Sequence, residues 1–189
     1  MEVLKAIYQR RATRHFTDAE LPAGVVNEII RAAAQAPSAL NQQPWAFAVL
    51  HGRNRLAEYS ERAKAHLLMT SDPAFGLDPR IDQYASDRIN IFHGADTLIL
   101  ICAKPARFSP IEDCFLAAEN LMLAAEGYGL GSCPVGFARA WFQRPEIKAE
   151  LEIPSHYTPT LPIVVGHPGL VLPPVVKRDP EIVCWHWDK

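Results

Sequence analysis

Six consecutive residues, Thr97-Leu98-Ile99-Leu100-Ile101-Cys102, form an uninterrupted uncharged run. A run this short and apolar reads as a strand buried on both faces, not one that alternates between core and water. The neighbouring sequence offers the helices to cover it. Ser109-Pro110-Ile111-Glu112 has the pattern of a capping box, with proline at the first helical position, and opens an apolar helix predicted to run to about Glu126. Upstream, residues 2–10 carry Val3, Leu4, Ile7 and Tyr8 at helical spacing. Leu21-Pro22 leads into a second helix with Val25, Val26, Ile29, Ile30 and Ala33 on one stripe, ending near Ala36-Pro37, because a residue before proline is pushed out of the helical region. Trp45–His51 reads as a strand, with Trp45 as a core anchor, and a charged helix follows over about Asn54–Leu68. Strands are also expected near Leu161–Val165 and Glu181–Trp187, separated by the proline-rich stretch Pro168–Pro180. Between Thr70 and Tyr84, Asp72-Pro73, Phe75-Gly76 and Asp78-Pro79 mark an irregular excursion of the kind that serves as a lid or binding loop. Strands and helices interleave too irregularly for a regular βαβ array, so the expectation is an α+β fold with a mixed sheet flanked by helices.

At 189 residues, 49% of them hydrophobic, the chain suits one domain, and no repeat or linker divides it. Its 21 acidic and 19 basic residues are mixed along the chain and give a net charge of −2, so no global field recruits nucleic acid or an anionic membrane. Any anion site has to be local. Glu2 and Lys5 interrupt the start, which argues against a signal peptide, and no stretch approaches the roughly 20 apolar residues of a membrane span. Cys102, Cys114, Cys133 and Cys184 are scattered without a C-x-x-C pair, which suits reduced thiols in a cytoplasm and does not support a zinc site. Nor do the seven histidines show H-E-x-x-H or comparable spacing.

Four constellations carry chemistry. Arg10-Arg11-Ala12-Thr13-Arg14 puts Arg10 and Arg14 on one face if the first helix persists. A phosphate is then the natural guest, and a solvated charged helix end is the alternative. Ala36 to Trp45 is a polar loop stiffened by Pro37 and Pro44. Its Ser38, Asn41 and Gln43 suit the carbonyl and nitrogen edge of an isoalloxazine or pyrimidine, or else satisfy their own backbone in a turn. Gly127 to Gly136 follows a helix, where a dinucleotide fingerprint would follow a strand. Gly131 and Gly136 have P-loop spacing, but Phe137-Ala138 stands where Lys and Ser or Thr are required. What remains is a glycine-rich backbone able to approach a flat ligand closely and to aim an N–H at it. Cys133 within it is a small residue in a tight place, or a nucleophile for which the sequence shows no lowered pKa. Lys177-Arg178-Asp179-Pro180 is a surface turn taken alone, and becomes interesting as a partner for the N-terminal arginines.

In this order the segments resemble the nitroreductase family of FMN enzymes. R-R-x-x-R-x-F stands as Arg10 to Phe16, A-P-S-x-x-N-x-Q-P-W as Ala36 to Trp45, and G-L-G-S-C as Gly129 to Cys133 with Pro134-Val135-Gly136 behind it. The closing G-x-P and R-x-P stand as Gly166-His167-Pro168 and Arg178-Asp179-Pro180. The resemblance implies a homodimer with two FMN sites where the subunits meet. By position, Arg10, Arg11, Ala12 and Arg14 would line the phosphate and the electron-rich ring edge, joined by Lys177 and Arg178. Ala12 replaces a common serine and so removes one phosphate contact. Pro37, Ser38, Ala39 and Asn41 would reach the flavin of the other subunit. Pro134, Val135 and Gly136 would lie along the ring with a backbone N–H near N5, and Arg88 falls near a flavin-contacting stretch of longer members. The implied activity is transfer of hydride from NAD(P)H to an organic acceptor such as a nitroaromatic, quinone or enone, without a catalytic side chain from the protein. The residues facing that acceptor are expected in 68–90 and around Phe137 to Phe142. An FMN carrier or sensor, and a relative that uses oxygen, are the competing functions.

Overall fold

The computed structural model describes residues 2–70, 89–173 and 175–187. Its centre is the apolar run. Strand β2 (Thr97–Ala103) is buried along its whole length and lies between β1 (Trp45–His51) and β4 (Thr158–Gly166), with β3 (Gly131–Pro134) outside β4. Alternation along β2 divides the core. Ile99, Ile101 and Ala103 face one hydrophobic cluster, while Leu98, Leu100 and Cys102 face the other. Helices α2 (Ala23–Ala33) and α4 (Pro110–Gly127) cover the first face through Val26, Ile29, Ala117 and Leu121. The second is covered by α3 (Arg53–Thr70), α5 (Arg139–Phe142) and α6 (Pro145–Glu150), through Leu56, Tyr59, Trp141, Phe142 and Ile147.

The expected mixed sheet is corrected by the pairing: all three neighbouring pairs of strands are antiparallel. Gly52 N–H donates to the Asp96 carbonyl at 2.8 Å, so the end of β1 and the start of β2 meet at the same edge of the sheet, and the two strands run in opposite directions. The expected strand at Glu181–Trp187 is absent. Those residues are exposed and irregular, with no ladder partner among the described residues. Pro110 does open α4, but Ser109 sits in the left-handed region (φ 38°) and its side chain makes no capping bond, so the capping box is not formed. The structure also adds a strand, β3, where a loop was expected, and two short helices, α5 and α6. Trp141 and Phe142 of α5 are core residues, not acceptor-facing ones.

Helix α1 (Val3–Gln9) ends one residue before the first arginine. Arg10 turns extended (ψ 134°) because the chain beyond it is stitched along β3 and the start of the C-terminal arm. Ala12 bridges Ser132 in parallel, Thr13 N–H donates to Ser132 O at 3.0 Å, and Phe16 bridges Pro168. The glycine at 131 permits this approach. A Cβ there would lie 2.5 Å from Thr13 Oγ1 and 2.6 Å from Thr13 Cβ. Gly131→Ala is expected to cost about 1–3 kcal/mol of stability through overpacking, measured by urea unfolding. Stability equal to the parent's would show that the 12–16 segment is not held this closely.

Candidate functional site

Two adjoining clefts meet at Arg14. One, of about 430 Å³, lies between Arg10, Arg11, Ala12 and Arg14 on one side and Leu172, Pro173, Val175 and Lys177 of the C-terminal arm on the other. The second, of about 210 Å³, is lined by Arg14, Ile91, His93, Phe137 and the run Cys133–Gly136. Because α1 stops at Gln9, Arg10 and Arg14 do not share a helical face. The extended 12–16 segment brings them together instead. Arg11 Nη1 folds back to donate to the Tyr8 and Arg10 carbonyls at 2.8 Å each, closing the C-terminus of α1. Its Nε is buried without a hydrogen-bond partner among the described residues. Arg10 pairs with Glu119 at 3.4 Å, a partly exposed contact that contributes little to stability.

A larger cleft, about 500 Å³, opens beyond Arg11 toward Glu126 and Pro168–Leu172. It has one cation and one acid, whereas the 430 Å³ cleft gathers four cations. By charge the smaller of these two is the better suited to an anion. In the 210 Å³ cleft, a Cβ built on Gly136 meets no atom within 4 Å, so the backbone there faces open space. Val135 N–H donates to Pro162 O at 2.8 Å and Pro134 has no N–H, which leaves the amide of Gly136 as the one this run can offer a ligand. Burial raises the pKa of the Cys133 thiol against the opposing pull of Arg14 and Arg10, so it stays protonated and unsuited to nucleophilic attack.

Pro37, Ser38, Ala39 and Asn41 line neither cleft of their own chain. They belong to a tight loop with Leu40, Asn41 and Gln43 all at positive φ (51°, 53° and 47°), fastened to α4 by Asp113. The nearly buried Asp113 carboxylate accepts from Ala39 N–H with both oxygens at 3.2 Å. Ser38 Oγ accepts from Gln43 N–H, and Asn41 Oδ1 from Gln43 Nε2, so the self-satisfied turn is realised within the chain. Arg178 is exposed and lines none of these clefts. Arg88 lies outside the described residues. Two residues went unread in the sequence. Asp113 looks like an ordinary acid in the first turn of a helix, its partner 74 positions away. His93 is a solitary histidine in a turn. Burial, then the charges of Arg14 and His15, push its pKa down to about 4, so its imidazole is neutral.

The donor set fits a flat ligand carrying a phosphate: cations around one cleft, an orphaned buried guanidinium nitrogen, and an open glycine face in the next. The Nitroreductase family profile matches residues 7–167. The chain belongs to the nitroreductase family. A nitrobenzene nitroreductase of Ectopseudomonas oleovorans is 31% identical over 186 residues, covering 79% of each chain. A Methanothermobacter thermautotrophicus protein named for NADH dehydrogenase and NAD(P)H nitroreductase activity is 28% identical over 172 residues, covering 89% of this chain and 78% of the relative. Among solved structures, a Bacteroides fragilis nitroreductase with bound FMN superposes with a TM-score of 0.83 at 26% identity, covering 98% of this chain and all of the other. Within this nitroreductase frame, no group of three or more His, Cys, Asp or Glu is placed to hold a metal among the described residues, and no described helix is long and apolar enough to cross a membrane.

Proposed function

We propose that this chain is an FMN-dependent oxidoreductase that passes hydride from NAD(P)H to a nitroaromatic, quinone or enone-like acceptor. In this reading Arg10, Arg11, Arg14 and Lys177 hold the phosphate and the electron-rich edge, joined from outside the cleft by the exposed Arg178; Ala12 lines the same cleft, and Pro134, Val135 and Gly136 lie along the ring. The observation that carries the reading is the junction at Arg14. A cationic cleft opens there into one whose glycine face is bare, which suits a phosphate at one end and a ring at the other. Bound FMN would supply the hydride chemistry, while the protein binds, orients and tunes it. Arg14, between the two clefts, favours negative charge on the ligand.

The working unit is a homodimer in this proposal. Pro37, Ser38, Ala39 and Asn41 serve the flavin of the other subunit, which accords with a loop that is fastened to Asp113 yet lines neither cleft of its own chain. Apolar side chains left uncovered on α1 (Val3, Leu4, Tyr8) and on the arm (Val171, Val176, Val183, Trp185) support burial against a second copy.

An open ring face reached from one side predicts that reductant and acceptor bind in turn. Steady-state double-reciprocal plots with varied NAD(P)H at several acceptor concentrations are expected to be parallel. Intersecting lines would mean that both substrates bind together, and NAD(P)H oxidation needing no organic acceptor would favour oxygen as the oxidant.

A further inference from the structure

The turn before β2 places a histidine in the left-handed region at the edge of a cleft. His93 has φ 58° and is followed by Gly94 at 72°, so two successive residues are left-handed and only the second is a glycine. The turn is pinned from several sides. His93 N–H donates to Asn90 O at 2.9 Å, Phe92 N–H to Asn90 Oδ1 at 2.8 Å, Ala95 N–H to Phe92 O at 3.1 Å and Ile91 N–H to Ser60 Oγ at 2.9 Å. From α3, Arg53 donates to the Gly94 carbonyl and, at 2.9 Å, to that of Thr17. Ile91 and Phe92 are buried in the core, while His93 is half-buried at the cleft that Arg14 and Cys133–Gly136 share. A non-glycine residue persists in such a conformation when its surroundings over-determine it, and such residues cluster at binding sites.

We propose that His93 is a further flavin-binding residue, its imidazole hydrogen-bonding the bound flavin from the wall of the cleft that Arg14 closes. The inference rests on the FMN reading above. Apart from Arg14, the side chains bordering His93 in the cleft are those of Ile91, Cys133, Pro134, Val135 and Phe137, none of which offers a strong hydrogen bond to a heteroaromatic edge. His93 provides that contact without adding charge, because burial beside Arg14 and His15 keeps it neutral. A neutral imidazole presents one donor and one acceptor to a ring system rich in both. Arg14 and His93 thereby divide the work, the first supplying charge and the second supplying direction.

The test uses the full chain and FMN itself. His93→Asn keeps a residue that tolerates the left-handed backbone but shortens the polar reach, and His93→Gln restores that reach. FMN affinity, read by quenching of flavin fluorescence, is expected to fall roughly three- to tenfold in His93→Asn and to recover in part in His93→Gln. The absorption bands of the bound flavin should shift in His93→Asn. In the unaltered protein, the imidazole resonance of His93 should move when FMN is added, a readout that needs no variant to fold. Unchanged affinity, an unchanged flavin spectrum or an unmoved imidazole resonance in a protein that binds FMN would overturn the role of His93 and leave the cofactor reading standing. Failure of the unaltered protein to bind FMN would overturn both.

Discussion

Gly136→Val is expected to fold as stably as the parent, within about 1 kcal/mol, and to lose turnover on the order of a hundredfold. The two halves of this result have different causes. In the chain by itself a Cβ at 136 meets nothing within 4 Å, and the residue is not among the positive-φ glycines, so a larger side chain is accommodated without strain. With a ring lying along Pro134–Gly136, the added methyl groups occupy the space the ring requires. Cys133→Ser, three residues earlier, should retain most activity, because the thiol is buried and held protonated. Stability by urea unfolding and turnover with saturating FMN would be measured on the same preparations. A Gly136→Val enzyme with parental turnover would remove the ring from this run. Loss of turnover in Cys133→Ser with FMN still bound would make the thiol chemical.

Arg14→Ala should weaken FMN binding by about 1.5–3 kcal/mol, the magnitude of a charge-assisted hydrogen bond, or roughly 10- to 150-fold in dissociation constant. Arg14 borders both clefts, so its loss is felt at the phosphate end and the ring end together. Stability should change little, since the side chain is exposed. Equilibrium titration with FMN at fixed ionic strength checks this, and unchanged affinity would displace Arg14 from the site. The same variant tests the shared site. Mixed with an Asn41 variant under verified subunit exchange, it should regain a fraction of intact sites in heterodimers. No recovery would argue that Asn41 and Arg14 do not meet at one flavin.

The parts of the fold that were legible in the sequence are those where local pattern and burial agree. The apolar run 97–102 appears as a strand covered on both sides, and Trp45–His51 as a second strand with Trp45 in the core. Gly131–Pro134 was not legible as a strand, because glycine and proline argue for a loop. It pairs because β4 offers a ladder on one side, while Gly131 admits Thr13 on the other. Residues 181–187 err the other way: Ile182, Val183, Trp185 and Trp187 have strand-like character, yet no described strand lies beside them. In the candidate site, the arginines and Gly136 were singled out by their order along the chain. Their geometry was not, since it depends on α1 ending at Gln9 and on an extended segment that no periodicity announces. Asp113 was invisible because its partner is 74 positions away, and His93 because only the fold brings it to the cleft lined by Arg14 and Cys133–Gly136.

The most direct measurement is the absorption spectrum of the purified protein, followed by identification of the released cofactor and anaerobic titration with NADH and NADPH. The expected result is a yellow protein, or one made so by reconstitution, that releases FMN on denaturation and is bleached by a reduced nicotinamide and recoloured by an organic acceptor. Recovery of FAD alone, or a colourless protein that FMN does not reconstitute, would contradict it.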